Sequence, residues 1–142
     1  MVESTEQIAR LLEEKIGDLP QEECWVLYFD TQLRILDIAC IAKGTLDKVM
    51  IHPRDVFRRG VALNAYGIVV AHNHPSGKVS LSNGDVQVAR QLVLCGSLLQ
   101  IHVLDFLVVT RTDYLSYFEL EKLPQIRLET LLELWTTHAN MC

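Results

Sequence analysis

Residues 67–109 read GIVVAHNHPSGKVSLSNGDVQVARQLVLCGSLLQIHVLDFLVV, and this stretch sets the architecture. Gly67 to Ala71 is a short run of small and β-branched apolar residues, the composition of a buried strand. It ends in His72-Asn73-His74. A polar loop opening on Pro75-Ser76-Gly77 follows. From about Asn83 to Leu94 the helical period places Val86, Ala89, Leu92 and Val93 on one face, and Gly96 reads as the stop. Ile101 to Val109 is a second strand. Strand, helix and strand at this spacing make a βαβ unit, which requires a parallel strand pair with the helix across one face. In such units ligands collect beyond the carboxyl ends of the strands. His72 and His74 lie at such an end.

Working outward, Ser4 with Gln7 three residues on is a capping signal. Ile8, Leu11, Leu12 and Ile16 then form one apolar helical face, and Gly17 ends it. Trp25 to Phe29 and Ile35 to Ile41 read as strands joined by the polar turn Asp30 to Arg34, a hairpin. Pro53 suits the first turn of a helix whose buried face is Val56, Phe57 and Val61. The fold class is therefore α/β, with a mixed β-sheet flanked by helices. Beyond Pro124, IRLETLLELW reads as a further helix with Ile126, Leu128, Leu131, Leu132 and Trp135 apolar. It can pack on the domain or against another chain, as in a homodimer.

The chain has 142 residues, 49% hydrophobic and 22% charged. That is one domain with a proper core rather than a disordered chain. Its net charge is −5, and the densest basic cluster, Arg54, Arg58 and Arg59, is interrupted by Asp55. Duplex-binding modules carry a basic stripe, so nucleic acid is not the expected partner of this domain. No apolar run approaches the ~20 residues of a membrane span. Cys24, Cys40, Cys95 and Cys142 include no C-x-x-C pair, which argues against a cysteine zinc site. With no signal peptide they read as reduced thiols of a cytoplasmic protein.

Residues two apart on a strand share a face. If the strand continues through His74, both imidazoles enter one pocket, where they suit two ligands of one metal. A catalytic zinc commonly takes three protein ligands and keeps a fourth place open. Asp85, at the start of the next helix, can fold back as the third. The plain alternatives are complete without function. The histidines can be polar residues at a strand end, and Ser82-x-x-Asp85 can be a capping box. His52, His102 and His138 have no partner visible in sequence. The letters HNH do not make the nuclease of that name, whose residues are dispersed. The zinc deaminases need H-x-E and P-C-x-x-C, which are absent.

The whole pattern, H-x-H-P-S-G followed by S-x-x-D, resembles the JAMM signature of MPN-type metallopeptidases. The surrounding words PRDVFRRGVALNAYGIVVAHNHPSG and SNGDVQVARQLVLCGSLLQIHVLDFLVVT, with Lys43-Gly44-Thr45 before them, resemble the bacterial RadC family. The resemblance covers roughly residues 3 to 122. It implies a JAMM/MPN, cytidine-deaminase-like architecture over residues 1–123, and the helical extension over 124–142 lies outside the match. It implies zinc held by His72, His74 and Asp85. It makes Ser82 the support of an oxyanion, and it places the proton-shuttling glutamate just before the first strand of the hairpin. Glu22 fills that slot, with Glu23 one residue off. The implied activity is a zinc-dependent peptidase or isopeptidase acting on a peptide or isopeptide-linked protein. The alternatives are a DNA repair or recombination accessory protein and a non-catalytic binding module. Two positions depart from the family: Leu81 where a proline is usual and Phe106 where a histidine is usual. The helix-hairpin-helix region that RadC proteins often carry ahead of this domain is also not found in the sequence.

Overall fold

The computed structural model describes residues 2–44, 51–79 and 82–123. In chain order these form α1 (Thr5–Ile16), β1 (Glu23–Phe29), β2 (Ile35–Lys43), α2 (Pro53–Ala62), β3 (Gly67–Asn73), α3 (Asn83–Leu99), β4 (His102–Val109) and β5 (Tyr114–Ser116). The strands make one five-stranded sheet in the order β2-β1-β3-β4-β5. Only β3 and β4 are parallel; the other three pairings are antiparallel. The sheet is thus mixed, as the sequence implies, and the parallel pair is the one joined through α3.

Alternation along the strands builds two cores, one on each face. On one face Val26 and Tyr28 of β1, Ile68 and Val70 of β3 and Phe106 of β4 pack with Val56 and Phe57 of α2 and Ala89 and Leu92 of α3. On the other, Leu27, Phe29, Val69, Ala71, Leu107 and Val109 pack with Leu12 and Ile16 of α1. Every residue of β3 is buried, which explains its unbroken apolar run. Full burial of each such side chain stabilises the fold by about 1.5–3 kcal/mol.

Local rules hold at the helix starts. Ser4 Oγ accepts from Gln7 N–H at the start of α1, and Ser82 Oγ accepts from Asp85 N–H at the start of α3. Pro53 occupies the first turn of α2.

Several details differ from the sequence reading. β1 begins at Glu23 rather than Trp25, and β3 runs on to Asn73 because both neighbours keep pairing: His72 lies opposite Cys24 of β1 and Val108 of β4. α3 does not stop at Gly96 but continues to Leu99, where Gln100 in the left-handed region (φ 60°) caps it. Gly96 is needed for close packing instead: a Cβ there would meet Ile101 O at 2.4 Å and the Phe57 ring at 3.4 Å. Finally, Val61 and Val86 are exposed, at 59% and 44%. Thr45, Leu81 and the helix expected past Pro124 lie outside the described residues. Among the described residues no helix is long and apolar enough to cross a membrane.

Candidate metal centre

The site forms where β3 ends and α3 begins. His72 is the penultimate residue of β3 and is fully buried. His74 follows the strand, and its N–H still donates to Val109 O of β4 at 2.9 Å. The ladder thus carries the strand direction through both histidines, and their rings sit 4.7 Å apart between centroids. A turn then reverses the chain. Gly77 N–H donates to His74 O at 3.0 Å, Pro75 sits in the second position of the turn, and Gly77 takes φ +82°, where glycine carries no steric penalty.

Asp85 enters from the first turn of α3. Its backbone N–H donates to Ser82 Oγ at 3.0 Å, so the cap that starts the helix also sets the direction of the carboxylate. Asp85 Oδ1 lies 3.2 Å from His72 Nε2, and Oδ2 lies 3.7 Å from His74 Nε2. The three residues offer ligand atoms that all lie within 4.8 Å of one another, and no other such group of three occurs among the described residues.

The electrostatics mark the cluster as suited to a cation. Burial, with His74 beside it, holds the His72 imidazole down to a pKa of about 3, so it is neutral and able to ligate near neutral pH. Burial pushes the Asp85 carboxyl up. The Ser82 hydroxyl opposes this by hydrogen bonding to the carboxylate, His74 opposes it too, and the nearby charge of Glu22 adds to the rise. His74 Nδ1 lies 2.9 Å from Lys78 O. A carbonyl can only accept, so Nδ1 carries the proton and the Nε2 lone pair is left for a ligand.

Both ring nitrogens of His72 and Asp85 Oδ2 are buried without any hydrogen-bond partner. Leaving such atoms unpaired costs about 1–3 kcal/mol each. Two imidazoles and a carboxylate converging on one point, with buried lone pairs unspent, fit a borderline transition metal with an open position.

Glu22 and Glu23 part company here. Glu23 Oε1 accepts from the Trp25 indole at 3.0 Å, and Trp25 packs with the α1-side core. Glu22 precedes β1 and lies on the other side of that alternation, the side of Cys24 and His72, where its charge acts on Asp85. Its carbonyl is fixed by Gly44 N–H at 2.8 Å.

Sequence reasoning missed Asn73. Between the two histidines, it faces the opposite way and is fully buried. Its Oδ1 accepts from Glu23 N–H at 2.7 Å, and its Nδ2 donates to Gln21 O at 3.0 Å. It therefore grips the backbone on both sides of Glu22. The two-residue alternation predicts the direction in which Asn73 points, but its partners lie about fifty residues away and leave no local signal.

A family model described as the RadC-like JAB domain matches residues 2–123. A UPF0758 protein of Chlorobaculum parvum is 36% identical over 116 residues, 82% of this chain and 52% of the relative. One of Flavobacterium johnsoniae is 31% identical over 118 residues, 83% of this chain and 52% of the relative. One of Finegoldia magna is 37% identical over 111 residues, 78% and 50%. The chain spans about half the length of these curated relatives.

Proposed function

The chain belongs to the RadC-like JAB domain family, and from that membership and the geometry of the site we propose that it is a zinc-dependent hydrolase of the JAMM type. The observation that carries the proposal is the convergence of His72, His74 and Asp85, with ligand atoms within 4.8 Å and buried lone pairs unpartnered. His72 Nε2, His74 Nε2 and an Asp85 oxygen would hold the ion. Zinc bound there supplies Lewis acidity, bringing the pKa of water from 15.7 down to ~7 and polarising a carbonyl.

The protein's own groups supply the proton transfers and hold the geometry. Glu22, anchored through its backbone and half-buried beside Asp85, accepts the proton of the attacking water as general base. It then returns the proton to the leaving amine as general acid. The Ser82 hydroxyl accepts from Asp85 N–H and hydrogen-bonds the Asp85 carboxylate, and its proton would turn from that carboxylate to the developing oxyanion. The substrate class that suits this chemistry is an amide bond, in a peptide or in an isopeptide-linked protein.

The test is a cleavage screen over peptide and isopeptide-linked substrates, with and without a zinc chelator. Chelator-sensitive cleavage that falls by about 10²–10⁴ in Glu22→Gln while zinc is retained is the expected result. Cleavage that survives both the chelator and Glu22→Gln contradicts the proposal. Loss of cleavage in Glu23→Gln but not in Glu22→Gln would move the proton shuttle one residue on.

A further inference from the structure

Among the described residues, four side-chain polar atoms are buried with no hydrogen-bond partner: Nδ1 and Nε2 of His72, Oδ2 of Asp85, and the Tyr117 hydroxyl. The first three belong to the metal centre, where a bound ion would take one nitrogen of His72 and one oxygen of Asp85 and leave the other Asp85 oxygen to be held. The fourth is not a ligand type expected of zinc, and nothing in the mechanism uses it.

Its position is not accidental. Tyr117 follows β5, and its N–H donates to Phe106 O of β4 at 3.1 Å. The two rings pack at 5.1 Å, and Phe106 in turn meets the His72 ring edge-on at 5.4 Å. Tyr117, Phe106 and His72 thus form a continuous row of rings across the α2/α3 face of the sheet. At the His72 end of the row stands Asp85, whose Oδ1 lies 3.2 Å from His72 Nε2. Tyr117 is 1% exposed. The charge of Asp85 acts on its phenol and adds to the burial that pushes the phenol up, so the two groups lie within electrostatic reach inside the core.

We propose that Tyr117 is a positioning residue of the metal centre, whose buried hydroxyl donates a hydrogen bond to the Asp85 carboxylate when Asp85 ligates the ion. Tyr117 Oη is a donor without an acceptor, and Asp85 Oδ2 is an acceptor without a donor. A carboxylate that gives one oxygen to a metal leaves the other to be held by such a donor, and these outer contacts govern how well the ligand is aimed. With no metal, the hydroxyl is only a cost. With metal, it fixes the third ligand. The proposal rests on the zinc reading above.

The experiment compares wild type with Tyr117→Phe, which removes the hydroxyl and keeps the ring packing. Zinc affinity is read by competition with a chromogenic chelator, and thermal midpoints are read for chelator-stripped and zinc-loaded protein. Tyr117→Phe is expected to bind zinc about 10-fold or more weakly, to melt at or above wild type when stripped, and to gain less from zinc. Equal zinc affinity in the two proteins overturns the proposal. So does a stripped midpoint lowered as much as the loaded one, since that marks a structural role independent of the ion. Wild type that takes up no zinc overturns both the proposal and the zinc reading, whereas tight binding in both proteins overturns the Tyr117 role alone.

Discussion

His72 is the residue at which folding and chemistry oppose each other most directly. It is fully buried, and burial beside His74 holds its pKa at about 3, far below the ordinary 6.5. The neutral imidazole is what a metal needs, but the folded protein must exclude the proton. In the unfolded chain the ring titrates normally, so below pH 6.5 the unfolded state binds more protons. The stability associated with His72 is therefore fully present above pH 6.5. It is lost progressively as pH falls from 6.5 toward 3, by a few kcal/mol in all, on the order of 1.36 kcal/mol per unit. Urea midpoints of the metal-free protein should drop across this window, and His72→Asn should flatten the drop. A midpoint that falls equally in both proteins would assign the pH dependence to other groups. At this scale the sequence was informative where partners are near. The spacing of His72, His74, Ser82 and Asp85 was legible because a strand and a helix cap set it. The surroundings of Glu22 and Glu23 were not legible there, because they are contacts of the folded chain, such as the Trp25 indole that donates to Glu23 at 3.0 Å.

At the scale of elements, α3 brings Asp85 to the histidines of β3, and its two ends obey different physics. Its start is local: Ser82 caps Asp85 N–H at 3.0 Å, a contact visible as S-x-x-D in the sequence. Its end is not. Gly96 reads as a stop, yet the helix passes through it because Ile101 O and the Phe57 ring come so close that no larger residue fits. Gly96→Ala should therefore destabilise the fold by roughly 1–3 kcal/mol, as overpacking does, although Ala is the better helix former. A denaturation midpoint at or above wild type would contradict that packing argument. The caps allow a sharper comparison. Ser4→Ala and Ser82→Ala each remove a side chain that accepts a backbone N–H at a helix start, and each should cost about 1 kcal/mol. Only Ser82→Ala should also weaken zinc binding and cleavage, because only that cap directs Asp85, the proposed third ligand. Equal zinc affinity and equal cleavage in the two variants would reduce Ser82 to a cap.

Across the whole molecule, the mixed sheet was legible because its two halves carry different sequence periods. The hairpin β1-β2 shows a polar turn between apolar strands, and β3-α3-β4 shows strand, helix and strand. The order β2-β1-β3-β4-β5 is not written in any one segment. It follows from β3 pairing with β1 on one side and β4 on the other, which covers both its edges while the helices cover its faces, and which brings Glu22, Asn73 and the histidines to one end of the sheet. Tyr117 reaches the same region only through β5, far along the chain. The extension past Pro124, and any homodimer it would build, lie outside the described residues. The proposed function depends on His72, His74 and Asp85 holding a metal. The direct measurement is the zinc content of purified wild type and His74→Ala, each confirmed folded by circular dichroism. About one zinc per chain in wild type and none in the variant is the predicted result. Zinc retained at equal stoichiometry in His74→Ala, or none taken up by wild type from zinc-supplemented buffer, would contradict it.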